Sequence, residues 1–167
     1  MEIPDPAERA LAALEASGLA FRLTRHGRVA SLAEAAAARG VRPEDIIKTI
    51  VVRRGPGDHL FVLVPGGRQI SWRKLRALLG VNKMKLPSAA EALEVTGYER
   101  GTITPFGSLT PLPIFADASI AGRPVSIASF ATQNSRLNGS LFPPNAPPSA
   151  GWTTRIFWIG SPSTFAS

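Results

Sequence analysis

The chain has 167 residues, 44% hydrophobic and 19% charged, which is enough apolar material for one folded domain and excludes a disordered chain. It contains no cysteine, so a disulfide framework, a thiolate nucleophile and a Cys-based metal site are excluded, and no apolar run is long enough to span a bilayer. The net charge of +7 and a pI near 11.0 favour an anionic partner, with nucleic acid first.

Met1-Glu2-Ile3-Pro4-Asp5 lacks the basic-then-apolar pattern of a signal peptide, so the expected location is cytoplasmic, with no membrane partner. Asp5-Pro6-Ala7-Glu8 reads as a helix start, with Asp5 as cap, Pro6 in the first turn and Glu8 closing a capping box; Leu11 and Leu14 continue the helix and Gly18 stops it. Phe21-Arg22-Leu23-Thr24 alternates as a short strand. Ser31-Leu32-Ala33-Glu34 is a second capping box, opening an Ala-rich helix that ends near Gly40, and Pro43-Glu44-Asp45 starts one more turn.

Ile46-Ile47-Lys48-Thr49-Ile50-Val51-Val52 is the most β-prone run. Gly55-Pro56-Gly57-Asp58 turns it back into Leu60-Phe61-Val62-Leu63-Val64, a hairpin that Gly66-Gly67 breaks. Ser71 is expected to cap a helix through Trp72, Leu75 and Leu79, stopped by Gly80, and Ser88-Ala89-Ala90-Glu91 is a third capping box. Ile114 to Asp117 and Val125 to Ala128 read as further strands. Helices and short strands with hairpins and no regular βαβ repeat predict a single α+β domain around a mixed, mostly antiparallel sheet. From about Phe130 the character changes: no acid follows Asp117, Phe142 to Pro148 is proline-rich, and the apolar run Arg155 to Ile159 has no evident partner. This segment, 130–167, is expected to be poorly ordered or to reflect a shifted reading frame, leaving a domain over 1–129.

One stretch carries more punctuation than a connection needs. Thr96-Gly97-Tyr98-Glu99-Arg100-Gly101-Thr102-Ile103-Thr104-Pro105-Phe106-Gly107 combines three glycines and a proline with apolar Tyr98, Ile103 and Phe106. Gly101 admits φ > 0 or close approach, and Pro105 drives Thr104 toward an extended conformation, so a rigid loop with presented backbone groups is expected. A tight connection after a helix is the alternative. Between Asp58 and Glu91 there is no acid, while Arg68, Arg73, Lys74, Arg76, Lys83 and Lys85 fall in that gap; they form either a solvated face or a phosphate-binding one. The only histidines, His26 and His59, have no second ligand near in sequence, and no nucleophile elbow, Walker loop or G-x-G-x-x-G is present. Lys48 is the one charge inside an apolar strand, aimed either at solvent or into a pocket that holds an anion.

Lys48-Thr49 in its strand, Thr96-Gly97-Tyr98 and Gly101-x-x-x-Pro105-x-Gly107, in this order and spacing, resemble the YbaK/ProX family. These are stand-alone relatives of the editing domain inserted in bacterial prolyl-tRNA synthetase. Arg25-His26 after the first strand and Thr110-Pro111-Leu112-Pro113 before Ala116-Asp117 fit as well, and the resemblance covers about residues 5–129. It implies a curled sheet flanked by helices, and an aminoacyl-tRNA deacylase that clears mischarged tRNA in trans, such as Ala- or Cys-tRNA(Pro). It implies substrate-assisted ester hydrolysis, in which the terminal ribose 2′-OH helps activate water, with no cofactor and no metal. By position, Lys48 would hold the terminal phosphate or the ester region, and Gly101, Thr104 and Pro105 would present the loop to the ester. Thr24, His26, Thr102, Ile103, Asp117 and Ser129 would line the substrate pocket. Arg68, Arg73, Lys74, Arg76, Lys83 and Lys85 would contact the tRNA acceptor stem. The partners implied are the aminoacylated end of tRNA and prolyl-tRNA synthetase, not DNA. The family pattern of a Gly-rich turn, an acidic strand and a last helix is missing after Ser129. That departure keeps two further readings open: a non-catalytic tRNA- or synthetase-binding protein, and a regulatory small-molecule-binding domain.

Overall fold

The structure is a computed structural model that describes residues 4–26, 29–121, 125–132, 135–141 and 156–159. Helix α1 (Pro6–Ala16) starts where the sequence says, with the Asp5 carboxylate accepting from Ala7 N–H at 2.8 Å. Strand β1 (Phe21–His26) leads to α2 (Leu32–Arg39), where Ser31 Oγ accepts from Glu34 N–H at 3.1 Å and Glu34 accepts from Ala30 N–H at 2.8 Å. A 3-10 turn (Pro43–Asp45) opens the hairpin of β2 (Ile46–Gly55) and β3 (Asp58–Pro65). Helices α3 (Trp72–Leu79) and α4 (Ala89–Thr96) follow, then β4 (Ile114–Asp117), β5 (Val125–Thr132), β6 (Ser135–Leu141) and β7 (Ile156–Ile159).

The seven strands form one sheet in the order β1-β6-β5-β2-β3-β4-β7. The fold is the mixed α/β architecture expected. Its antiparallel pairs (β1 with β6, β6 with β5, β2 with β3) have registers of six to eight residue pairs, while the parallel ones (β2 with β5, β3 with β4, β4 with β7) have two to four. The division expected at 129/130 falls inside β5, and the strand after it, β6, joins β5 to β1. The apolar run that had no evident partner is β7, paired in parallel with β4 from Ile114↔Ile156 to Asp117↔Ile159. The proline-rich stretch Phe142 to Pro148 lies outside the described residues.

Strand alternation sorts the core into faces. Ile47 and Val51 of β2, with Phe61 and Leu63 of β3, pack with Ala7, Ala10 and Leu14 of α1, with α4, and with Tyr98, Ile103 and Phe106. Val52, Leu60, Val62 and Val64 pack on the other face against Leu75 of α3 and Phe115. Each such fully buried side chain contributes about 1.5–3 kcal/mol. A third group, Ala35, Ala36 and Ile46, docks α2. One cap expectation fails: Ser71 makes no side-chain hydrogen bond at the start of α3. This helix is held by burying Leu75 instead. Among the described residues no helix is long and apolar enough to cross a membrane.

Candidate functional site

The loop from Thr96 to Gly107 is fixed from within. Thr96 Oγ1 donates to Ala92 C=O at 2.7 Å and accepts from Tyr98 N–H at 3.1 Å, so the end of α4 hands the chain directly to Tyr98. Tyr98 is 1% exposed, and its hydroxyl donates to Phe106 C=O at 2.6 Å, which closes the loop across its base. Burial pushes the Tyr98 phenol up to about 12, with the nearby Arg9 charge pulling the other way. The expected rigid loop is therefore present, and its apolar residues are its anchors.

What the anchors hold up is backbone. Gly101 has φ +88° and open space where a Cβ would stand. Thr102 N–H is committed to Glu99 C=O at 3.0 Å, and Phe106 N–H to Thr104 Oγ1 at 3.4 Å. The N–H groups of Gly101, Ile103 and Thr104 make no hydrogen bond among the described residues, although Ile103 and Thr104 are buried. Buried backbone donors are almost always paired, so the N–H groups of Ile103 and Thr104, together with that of exposed Gly101, are open to an acceptor. Thr49, the neighbour of Lys48 in sequence, adds a side-chain group. Its Oγ1 is buried with no hydrogen-bond partner among the described residues, and its register partner Leu63 belongs to the cluster that holds the loop.

Lys48 lies on the other face of β2, opposite Val64. It is half-buried, and its Nζ donates to the main-chain carbonyl of Arg68. The Arg68 guanidinium in turn pairs with Asp117 at 3.3 Å. Asp117 also accepts from Ser119 N–H at 2.9 Å and Ser119 Oγ at 2.6 Å. Burial pushes the Asp117 carboxyl up, but those hydrogen bonds and the Arg68 charge outweigh it, so its pKa lies below the ordinary value. Beside this group opens a cleft of about 810 Å³ whose polar lining includes Arg68, Gln69, Ser71, Lys74, Asp117 and Ser119. Gly66 ties the segment down: a Cβ there would meet the Pro43 carbonyl oxygen and, at 2.9 Å, the Leu32 methyls.

The residues predicted for the site thus separate into groups. Lys48, Arg68 and Asp117 come together on the α3 face, with Arg73 and Lys74 of α3 exposed on the same side and Arg76 half-buried. Lys83 and Lys85 are exposed, Lys85 pairing through its backbone with Arg53 at 2.8 and 3.1 Å. Gly101, Thr102, Ile103, Thr104 and Pro105 form the loop, whose buried members pack on the opposite face of β2. Thr24 and His26 sit on β1, which β6 and β5 separate from β2. Thr24 is half-buried there, while the side chains of His26 and Ser129 lie outside the described residues. His59 is structural: buried at 6% exposure, its Nε2 lies 2.9 Å from Glu91 Oε1, which Arg53 also approaches at 3.4 Å. The hydrogen bond from His59 holds the Glu91 carboxyl below its ordinary pKa against a smaller opposing effect of desolvation. Among the described residues no group of three His, Asp or Glu is placed to hold a metal ion.

The family model for the aminoacyl-tRNA editing domain matches residues 26–139, which include Lys48, Thr49, Asp117 and the whole loop. The chain is 33% identical over 92 residues to a proline–tRNA ligase of Bacillus licheniformis, covering 55% of this chain and 16% of that one. It is 34% identical over 92 residues to the uncharacterized protein YwhH of Bacillus subtilis, covering 54% of this chain and 57% of that one. The chain spans about a sixth of the length of the proline–tRNA ligases it matches. A solved structure described as a proposed trans-editing enzyme for prolyl tRNA synthetase superposes with a TM-score of 0.66 at 26% identity, covering 83% of this chain and 88% of that one. With more than half of its residues matched by the family model and the loop in place, this chain belongs to the aminoacyl-tRNA editing domain family.

Proposed function

We propose that the chain is a trans-acting aminoacyl-tRNA deacylase that hydrolyses the ester of mischarged tRNA, such as Ala- or Cys-tRNA(Pro), without a cofactor. The observation that carries this reading is the row of uncommitted N–H groups at Gly101, Ile103 and Thr104 on a loop fixed by Tyr98 and Phe106. An ester of this kind is already activated, so the protein needs no strong nucleophile. Water, activated with help from the substrate's 2′-OH, attacks the carbonyl carbon. The bond to the ribose 3′ oxygen breaks, and the proton ends on that oxygen. Fixed donors aimed at the carbonyl oxygen stabilise the charge that develops there, an effect worth about 10²–10³ in rate per donor. Thr49 Oγ1 is a further polar group on that face.

Lys48 then acts on phosphate rather than on the ester. Its ammonium stands with Arg68 and Lys74 on the basic face, where the terminal nucleotide's phosphate is the matching charge. Arg73, Arg76, Lys83 and Lys85 extend that face toward the acceptor stem, so binding is expected to weaken steeply with salt. Prolyl-tRNA synthetase is the proposed protein partner, from the resemblance to its editing domain.

The test is hydrolysis of a panel of charged tRNAs by the purified chain: Ala-, Cys-, Ser- and Pro-tRNA(Pro), and Ala and Cys on their own tRNAs. Selective release from one mischarged species is the expected result. No release from any of them, with the protein folded, overturns the deacylase reading. The second reading, a non-catalytic tRNA- or synthetase-binding protein, is favoured by the separation of Lys48 from the loop across β2. It predicts salt-sensitive tRNA binding without hydrolysis.

A further inference from the structure

We propose that Arg9 of α1 is a positioning residue for the Gly101–Pro105 loop, a clasp that joins the two ends of the loop and so aims its free N–H groups. The proposal rests on the reading that this loop handles the ester. One planar guanidinium reaches both ends: Nε donates to Gly107 C=O at 3.1 Å and Nη2 to Gly97 C=O at 3.0 Å. The same group stacks over the Tyr98 ring at 5.1 Å from its centroid, and Nη1 donates to Pro4 C=O at 2.9 Å, which ties it to the start of its own helix. Each of the three guanidinium nitrogens is therefore engaged, and two of the three carbonyl acceptors belong to the loop.

The loop's glycines are shaped to this contact. A Cβ at Gly107 would lie 2.6 Å from the Arg9 carbonyl carbon and oxygen, and one at Gly97 would lie 2.5 Å from Arg9 Nη2. Both glycines also have positive φ, +64° and +72°. Glycine is thus favoured at both ends by the positive φ, by the α1 backbone behind Gly107, and by Arg9 Nη2 and the Leu109 side chain at 2.8 Å beside Gly97. A lysine cannot replace this group, because an ammonium is a point charge and does not present a planar fork to two separated carbonyls. Arg9 lies before residue 26, where the family match begins, so it stands outside the part of the chain that the family describes.

Tyr98 is the chain's single tyrosine, which gives the clasp its own readout. Wild type, Arg9→Met and Arg9→Lys are nitrated with tetranitromethane, the rate at Tyr98 is followed by mass spectrometry, and kcat and KM are measured for the best substrate of the deacylation panel. Losing two charge-assisted hydrogen bonds is expected to speed nitration in Arg9→Met by about tenfold or more, as the loop opens. kcat should fall by about tenfold or more while KM changes by less than about threefold, the signature of misplaced groups rather than lost binding. Arg9→Lys, which keeps the charge and the ring contact, should show the same two changes in smaller degree. A role in stability alone would lower the melting temperature and leave kcat per folded molecule unchanged.

Wild-type nitration in Arg9→Met overturns the proposal whatever the activity, and so does faster nitration with unchanged kcat. Should Arg9→Met fail to fold, the same two criteria apply to Arg9→Lys. If wild type hydrolyses no charged tRNA, the deacylase reading has failed, and the nitration rates alone decide whether Arg9 holds the loop.

Discussion

The face of β2 that carries Ile47, Thr49 and Val51 and the face that carries Lys48, Ile50 and Val52 are built from different material. The first meets a loop that offers main-chain N–H groups, held by buried Tyr98 and Phe106 and clasped by Arg9. The second carries, beside the packing of Val52 with Leu75 and Phe115, the charged side chains Lys48, Arg68, Lys74 and Asp117, of which Arg68 and Lys74 are open to water and Lys48 and Asp117 half-buried. Backbone donors are fixed by the fold and are strong where water is excluded. Charged side chains on a wet face act over a longer range, are screened by salt, and suit an extended polyanion. One strand thus separates a region of fixed backbone donors from a charged, wetter face.

If that division is right, a change on the loop face should cost stability and activity together, while a change on the charged face should cost activity alone. Gly107→Ala has the largest expected effect. It puts a Cβ against the backbone of α1 at a positive φ and should lower stability by about 3 kcal/mol, read as a fall in melting temperature, with hydrolysis largely lost. Lys48→Ala comes next: a fall of about a hundredfold in kcat/KM, mostly through KM, with the melting temperature nearly unchanged. A fall confined to kcat would break the comparison, because Lys48 would then act on the ester and the two faces would be one site. Tyr98→Phe removes one buried hydrogen bond and should cost about 1–2 kcal/mol, read by denaturant unfolding, with a smaller drop in kcat.

The smallest effect belongs to neither face and serves as a control. The Glu91 carboxyl is held below its ordinary pKa by His59 and Arg53. Its contribution to stability is therefore full above the ordinary carboxylate pKa and is lost as the pH falls through the lowered one. Glu91→Gln should lower the melting temperature slightly at pH 7. The difference from wild type should vanish on acidification, with hydrolysis per folded molecule unchanged throughout.

The parts of this fold that were legible in the sequence are those written in local chemistry. Asp5, Ser31 and Ser88 announce three helix starts and cap them, and the β-prone run at 46–52 with Gly55 to Asp58 announces the central hairpin. Glu91 shows the limit of such signals: Ser88 caps as expected, but the Glu91 side chain turns to His59, a partner 32 residues away. Strand β6 was not read from the sequence, because Ser135-Arg136-Leu137-Asn138-Gly139-Ser140-Leu141 is poor in β-formers and is a strand through its two neighbours. The loop was legible as a rigid feature from its glycines and proline. Its clasp was not, because Arg9 reads as one more charge on a helix until Gly97 and Gly107 are brought beside it. Thr49 was hidden for a similar reason: a threonine in a strand is ordinary, and only its unpaired hydroxyl sets it apart.

The strand order has a consequence for how the chain is made. The β2–β3 hairpin pairs residues close in sequence, whereas among the described strands β1 has β6 as its one neighbour in the sheet, with Phe21 opposite Leu141. The first strand must therefore wait for β6 to be made, which for the chain between them at about 5–20 residues per second is a delay of roughly 6–23 s. Loop closure over that distance also makes this the slowest pairing to find after release. A chain cut at 129 would leave β1 with an open edge on both sides, and its synthesis would end with a strand still seeking a partner.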